Sequence, residues 1–196
     1  MSTPYIVIEG IDGSGKDTQG DLLAASMDGA LRVNEPDDSL PTGKLLRVML
    51  KEGSYVEAHA AMFLADRMAM LSTKVRPALD AGKPVVSVRS WMSTLVYQQE
   101  NWPLDWLFDI HRQLPCKATH LIVLDIDPEI ALSRATRRPG HNEFYEKLDI
   151  QKRNRQRYLD IAAKAVPFLA EGGKVGIING LGTPEEVQGR IIEWMA

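Results

Sequence analysis

Apolar residues gather into short unbroken runs rich in β-branched side chains at Tyr5 to Ile8, Pro84 to Val88, His120 to Asp125 and Lys174 to Ile178, with a fifth at Leu31 to Asn34. Runs of this length without polar alternation suit strands buried on both faces, as in a parallel sheet. Between them apolar positions recur at three- and four-residue intervals. That spacing predicts helices at Lys16 to Met27, Gly43 to Leu50, Val56 to Ala81, Ser93 to Leu114 in two pieces around Pro103, Pro128 to Ala135, Leu148 to Ala170 and Pro184 to Trp194. Strand and helix alternate, so the expected fold class is α/β: three layers, doubly wound, around a five-stranded parallel sheet. Ligands of such a sheet lie beyond the carboxyl ends of its strands.

Composition narrows the picture. With 196 residues, 44% of them apolar, the chain can bury one substantial core, so residues 1–196 are read as a single domain with a mobile insertion. A formal net charge of -3 lacks the basic excess of a nucleic-acid or membrane-surface binder, and any nucleotide is expected in a pocket. One cysteine, Cys116, leaves no internal disulfide or thiolate cluster. The N-terminus has no signal-peptide pattern and no apolar run reaches spanning length, so a cytoplasmic protein without membrane contact is expected.

Candidate chemistry begins directly after the first strand, at Gly10-Ile11-Asp12-Gly13-Ser14-Gly15-Lys16-Asp17. The spacing is G-x-x-x-x-G-K between a strand and a helix, which makes it a phosphate-binding loop for a nucleoside triphosphate. Backbone N–H groups of such a loop converge on phosphate oxygens, and the helix N-terminus adds its positive dipole. The competing reading is a Gly-rich turn with an incidental lysine. The residue after Lys16 is Asp17 where a Mg²⁺-ligating hydroxyl is usual, and the hydroxyl comes one residue later, at Thr18. A second cluster, Arg134 to Asn142, sets Arg134, Arg137 and Arg138 beside Pro139-Gly140 between two helices. It reads as a lid over transferring phosphates, residues 135–146, or else as a solvated basic loop.

Taken in order, the motifs resemble those of thymidylate kinases, a branch of the phosphate-loop nucleoside-monophosphate kinases. Glu9 to Gln19 is similar to the family's E-G-x-D-G-x-G-K-x-T-Q, and Phe63-Leu64-Ala65-Asp66-Arg67 to its F-x-x-[DN]-R. Ser87-Val88-Arg89 followed by Ser93 to Gln98 resembles S-D-R-Y…S-[ST]-x-A-Y-Q, and Leu124 to Arg134 resembles L-D-[VI]-x-P-E-x-A-L-x-R.

The resemblance implies transfer of the ATP γ-phosphoryl group to dTMP, with Mg²⁺ as cofactor and a homodimer as the common assembly. It implies that Gly10, Asp12, Gly13, Ser14, Gly15, Lys16, Asp17, Thr18 and Arg134 hold ATP, with Arg134 and Asn179-Gly180 near the adenine. Lys16, Arg89, Arg137 and Arg138 would be catalytic; because position 14 is Ser and not Arg, the catalytic arginine would come from the lid. Phe63 would stack on the acceptor base and Arg67 would donate to its O4, Tyr97 would pack on the sugar, Asp12 would approach the 3′-hydroxyl, and Thr94 and Tyr145 would contact the acceptor. Taken alone, Phe63 reads as a core aromatic, Arg67 as a surface partner of Asp66 or Glu57, and Asp12 as turn chemistry. Tyr145-Glu146, with Gln151, resembles the segment after the lid, or a solvated helix start. The tryptophans read as packing residues, and the histidines have no metal spacing.

Three positions depart from the family pattern: Val88 replaces an Asp, Asn34-Glu35-Pro36-Asp37-Asp38 replaces R-E-P-G-G, and Asp17 replaces the hydroxyl. Asp17 could restore near Mg²⁺ the carboxylate lost at position 88, or simply face solvent at the helix N-terminus. Asp37 and Asp38 make the acceptor side more acidic, which would suit dUMP or a 5-modified deoxyuridylate, as in a virus-encoded enzyme. Two further readings stand beside the monophosphate kinase: a deoxynucleoside kinase on the same fold, and a nucleotide-binding regulator that has lost catalysis.

Overall fold

The computed structural model describes residues 3–136 and 147–196. Five parallel strands form one sheet in the order β2-β3-β1-β4-β5: β1 (Tyr5–Glu9), β2 (Leu31–Asn34), β3 (Val85–Val88), β4 (His120–Asp125) and β5 (Lys174–Asn179). The β-branched runs place every strand. β1 lies at the centre, with Ile8 level with Val88 of β3 and with Ile122 of β4, so the loops after these strands leave from one edge. That edge holds the site.

Alternate residues of the strands feed two cores. Ile6, Ile8, Val86, Val88, Ile122 and Leu124 pack on Leu23 of α1 (Lys16–Ala25) and on Val187 and Ile191 of α9 (Pro184–Met195). Tyr5, Val7, Val85, Leu121 and Val123 face the other way, into the larger core. There they meet α3 (His59–Met70), α5 (Trp91–Gln98), α6 (Leu104–His111) and α8 (Leu148–Ala162). Trp91 stacks on Phe168 at 4.8 Å, and Trp194 lies against Gly176, so both are packing residues as read from the sequence.

Two predicted helices break. Val56 to Ala81 divides into a 3₁₀ turn at Val56–Ala58, α3, a π turn at Leu71–Val75 and α4 (Arg76–Asp80). Pro77 explains the π turn: it has no N–H for the carbonyl four residues back and its ring crowds that carbonyl, so the helix widens just before it. The segment read as Leu148 to Ala170 ends as an α-helix at Ala162, and a 3₁₀ turn covers Val166–Phe168, because Pro167 has no N–H to donate to the Ala163 carbonyl and its ring crowds that carbonyl. The remaining helices, α2 (Pro41–Glu52) and α7 (Pro128–Ala135), stand where the periodicity puts them. Among the described residues no helix is long and apolar enough to cross a membrane.

Candidate active site

β1 ends at Glu9, and Lys16 opens α1 after a loop closed by Gly15 in left-handed geometry (φ 91°). Gly13 is also left-handed, at φ 84°, and a Cβ there would lie 1.9 Å from the Ala131 carbonyl oxygen of α7. Only glycine allows that approach. Gly13, Ser14, Gly15, Thr18, Arg134 and Gly180 line one cavity of about 400 Å³ at the N-terminus of α1. Arg134 Nη1 donates to the Gly180 carbonyl at 3.3 Å, which bridges α7 to the turn after β5. The buried Ser14 Oγ has no hydrogen-bond partner among the described residues. A concave site at a helix N-terminus with an orphan hydroxyl is suited to an anionic ligand.

Beside this loop, two cations from different elements meet one carboxylate. Lys16 Nζ donates to Asp12 Oδ1 at 3.2 Å and to the Ile11 carbonyl at 3.2 Å, while Arg89 Nη2 pairs with the same Asp12 Oδ1. Burial and then the Arg89 charge hold the Lys16 ammonium below its usual range, with Asp12 and Asp17 pulling the other way. Burial also works against the Arg89 charge, but Asp12, Tyr97, Tyr158 and Glu9 keep Arg89 well above its ordinary value. Arg89 adopts φ 69°, a left-handed conformation for a residue with a side chain, of the kind that costs about 1 kcal/mol or more and collects at functional sites. From there its guanidinium lies over the Tyr97 ring at 5.3 Å and donates to Ser93 Oγ at 3.1 Å.

Glu9, to which the sequence reading gave no role, organises this corner. Its carboxylate is fully buried and accepts from Ser90 Oγ at 2.8 Å, Ser93 N at 3.2 Å, Ser93 Oγ at 2.7 Å and Tyr158 Oη at 3.2 Å. The bonds tie β1, the start of α5 and α8 into one polar network behind Arg89. An acid closing an otherwise apolar strand was the available signal.

On the α3 side, Arg67 is 1% exposed and bound into the interior. Its Nε donates to both Glu35 oxygens, at 3.0 and 2.9 Å, and Nη2 donates to Glu35 Oε2 at 2.5 Å and Thr94 Oγ1 at 3.0 Å. The alternative of a surface pair with Asp66 or Glu57 is therefore corrected: Asp66 instead receives the Asp37 N–H and the Thr42 hydroxyl, each at 2.8 Å. Burying an ion pair seldom adds net stability over apolar packing, so a pair kept this deep points to a use for the guanidinium. Phe63, one helical turn before Arg67, is half-buried and stands outside both core clusters, so the core-aromatic alternative is corrected as well.

A family model described as thymidylate kinase matches residues 8–171 of this chain. The probable thymidylate kinase of Thermococcus kodakarensis is 34% identical over 203 residues, covering 96% of this chain and 95% of that protein. The chain belongs to the thymidylate kinase family. The thymidylate kinase of Symbiobacterium thermophilum is 32% identical over 94% of this chain and 88% of its own length. The solved structure of the Candida albicans thymidylate kinase superposes with a TM-score of 0.80 at 25% identity, over 99% of this chain and 91% of that one.

The departures from the family pattern now have surroundings. Val88 is 2% exposed, in the core against α1, and its Cγ2 would lie 2.6 Å from a Cβ on Gly20. Position 88 thus abuts α1 one helical turn from Asp17, which is half-buried and near enough for its charge to support Lys16. The expected acidity of the acceptor side is offset: Asp37 pairs with Lys74 at 2.5 Å and Asp38 with Arg47 at 2.5 Å. Tyr97 is half-buried, edge-on to Tyr158 at 6.4 Å, and Thr94 is 1% exposed with its Oγ1 accepting from Arg67. Arg137, Arg138, Tyr145 and most of the expected lid lie outside the described residues. Among the described residues no cluster of three or more His, Cys, Asp or Glu forms a metal cage.

Proposed function

We propose that this chain transfers the γ-phosphoryl group of ATP to the 5′-phosphate of dTMP, with each half of the cleft serving one nucleotide. One observation carries the reading: Lys16 and Arg89, from different elements, converge on a single carboxylate oxygen of Asp12. Two cations held apart by one displaceable anion are suited to the equatorial oxygens of a transferring phosphoryl group. A phosphate oxygen of dTMP attacks the γ-phosphorus, the bond to the β-phosphate oxygen breaks, and ADP and dTDP result.

Catalysis of this kind is mostly alignment and charge stabilisation. Gly10 to Lys16, Thr18 and Arg134 hold the donor in the cavity beside α1, with Arg134 and Gly180 toward the adenine. When phosphates engage Lys16 and Arg89, Asp12 is released to accept from the 3′-hydroxyl of the acceptor sugar. Phe63 stacks on the base, Arg67 donates to its O4, Thr94 supports Arg67, and Tyr97 packs where a 2′-hydroxyl would lie. Arg137, Arg138 and Tyr145 act from the lid, within one domain of residues 1–196.

Mg²⁺ in such sites keeps several waters and binds chiefly to the phosphates, with one or two protein carboxylates. That need fits the chain, because Asp17 puts one carboxylate at the start of α1 beside Lys16. The ion, when bound, neutralises charge on the phosphate oxygens. A homodimer is supported by apolar side chains left exposed on α2 and α3: Leu45, Val48 and Met68 are 52%, 49% and 41% exposed.

The test of the reaction is coupled ADP release with ATP, Mg²⁺ and dTMP, dUMP, 5-hydroxymethyl-dUMP or dCMP as acceptor. Turnover is expected with dTMP at the highest kcat/KM, and absence of turnover with every acceptor would overturn the proposal.

A further inference from the structure

His111 closes α6, 1% exposed, and has no place in the phosphoryl chemistry. Its Nδ1 lies 2.6 Å from the Leu107 carbonyl oxygen, and its Nε2 lies 2.7 Å from Arg67 Nη1. A carbonyl can only accept and a guanidinium can only donate, so the two contacts agree on one tautomer, with the proton on Nδ1 and a lone pair on Nε2. Burial and then the Arg67 charge push the imidazole down to about 3, which keeps it a neutral acceptor at working pH.

The consequence appears on counting the donors of Arg67. A guanidinium side chain has five N–H bonds. The Nε–H goes to Glu35, the two on Nη2 go to Glu35 and Thr94, and one on Nη1 goes to His111. The second N–H of Nη1 is left beyond these bonds. Glu35 fixes one edge of the guanidinium plane, and His111 fixes the Nη1 corner from another helix.

We infer that His111 is a positioning residue for acceptor-base selection: by taking one Nη1 N–H of Arg67 it delivers the other to the base as a single oriented donor. A pyrimidine with an oxo group at the contacted position accepts that donor, whereas one with an amino group sets donor against donor. The inference rests on the reading above that Arg67 contacts the base. Sites built to hydrogen-bond one group reject its mismatched analogue far better than apolar pockets do.

The experiment is a steady-state comparison of wild type, His111→Leu, His111→Gln and Arg67→Lys with dTMP and dCMP. Gln retains an acceptor and Leu does not. His111→Leu is expected to raise KM for dTMP about tenfold with kcat little changed, the size of one hydrogen bond, and to weaken the preference for dTMP over dCMP. His111→Gln is expected to recover most of both. If Arg67→Lys raises KM but His111→Leu changes neither KM nor preference, the role of His111 is overturned and that of Arg67 stands. If Arg67→Lys leaves KM unchanged, the base reading falls and this inference with it. His111→Gln as impaired as His111→Leu would also overturn it, because packing alone would then explain the loss. Should His111→Leu fail to fold, His111→Met against His111→Gln makes the same contrast.

Discussion

Arg67 and Arg89 both face carboxylates, yet the two sides of the cleft hold them differently. The Arg67 and Glu35 side chains are 2% and 3% exposed and locked by Thr94 and His111, whereas those of Arg89 and Asp12 are 20% and 30% exposed, with Asp12 shared by Lys16. One arrangement is completed during folding. The other is a mutual neutralisation at the mouth of the cleft, where an incoming phosphate can replace the carboxylate. Recognition of a base needs fixed donors, while transfer of a phosphoryl group needs charges that can exchange partners; under the proposed function the Arg67 pair would meet the first demand and the Arg89 pair the second.

The contrast breaks most directly at Glu35. Glu35→Gln leaves Arg67 buried without its counter-charge, so a loss of about 3–5 kcal/mol of folding stability is expected, read by urea denaturation. Asp12→Asn, at the half-buried cluster whose cations keep other partners or some solvent, should cost less, about 1–2 kcal/mol, by the same measurement. Equal losses would erase the distinction.

On the phosphoryl side the expected losses are in rate. Lys16→Ala and Arg89→Ala should each lower kcat by about 10²–10³ in coupled ADP release, as removal of one charge-stabilising donor does elsewhere. Both variants should retain the wild-type circular dichroism spectrum; retained kcat in either would remove that cation from the reaction.

The interior side carries a pH signature. His111 titrates near 6.5 when unfolded and near 3 when folded, so its contribution is fully present above about pH 6.5 and is lost as pH falls toward 3. Between pH 7 and pH 5, wild type should lose about 2 kcal/mol more stability than His111→Gln in urea denaturation, following about 1.4 kcal/mol per pH unit below 6.5. Parallel losses in the two proteins would mean that the imidazole is not held neutral. A further effect is expected at Phe63, where stacking on a base is worth about 1–3 kcal/mol. Phe63→Ala should raise KM for dTMP with kcat nearly unchanged.

How much of this could be read along the chain depended on the range of each interaction. The strands and the loop at Gly10 to Lys16 are local patterns, and they stand where the sequence puts them. The breaks at Leu71–Val75 and after Ala162 follow from Pro77 and Pro167, whose effects fall on residues that precede them and are masked by a continuing helical period. Glu35 and His111 were missed because their bonds to Arg67 join residues 32 and 44 apart, a pairing that no local spacing announces. Of the candidate residues, Lys16, Arg89 and Asp12 come together as one group, and Arg67 with Thr94 as another.

The separation of a prebuilt acceptor site from an exchangeable phosphoryl site is tested most directly by calorimetric binding of dTMP in the absence of ATP, to wild type, Lys16→Ala and Arg67→Lys. The expected result is binding to wild type and Lys16→Ala with affinities that agree within about threefold, about 0.7 kcal/mol, and a loss of about tenfold or more in Arg67→Lys. Loss of dTMP binding in Lys16→Ala with retention in Arg67→Lys would contradict the account.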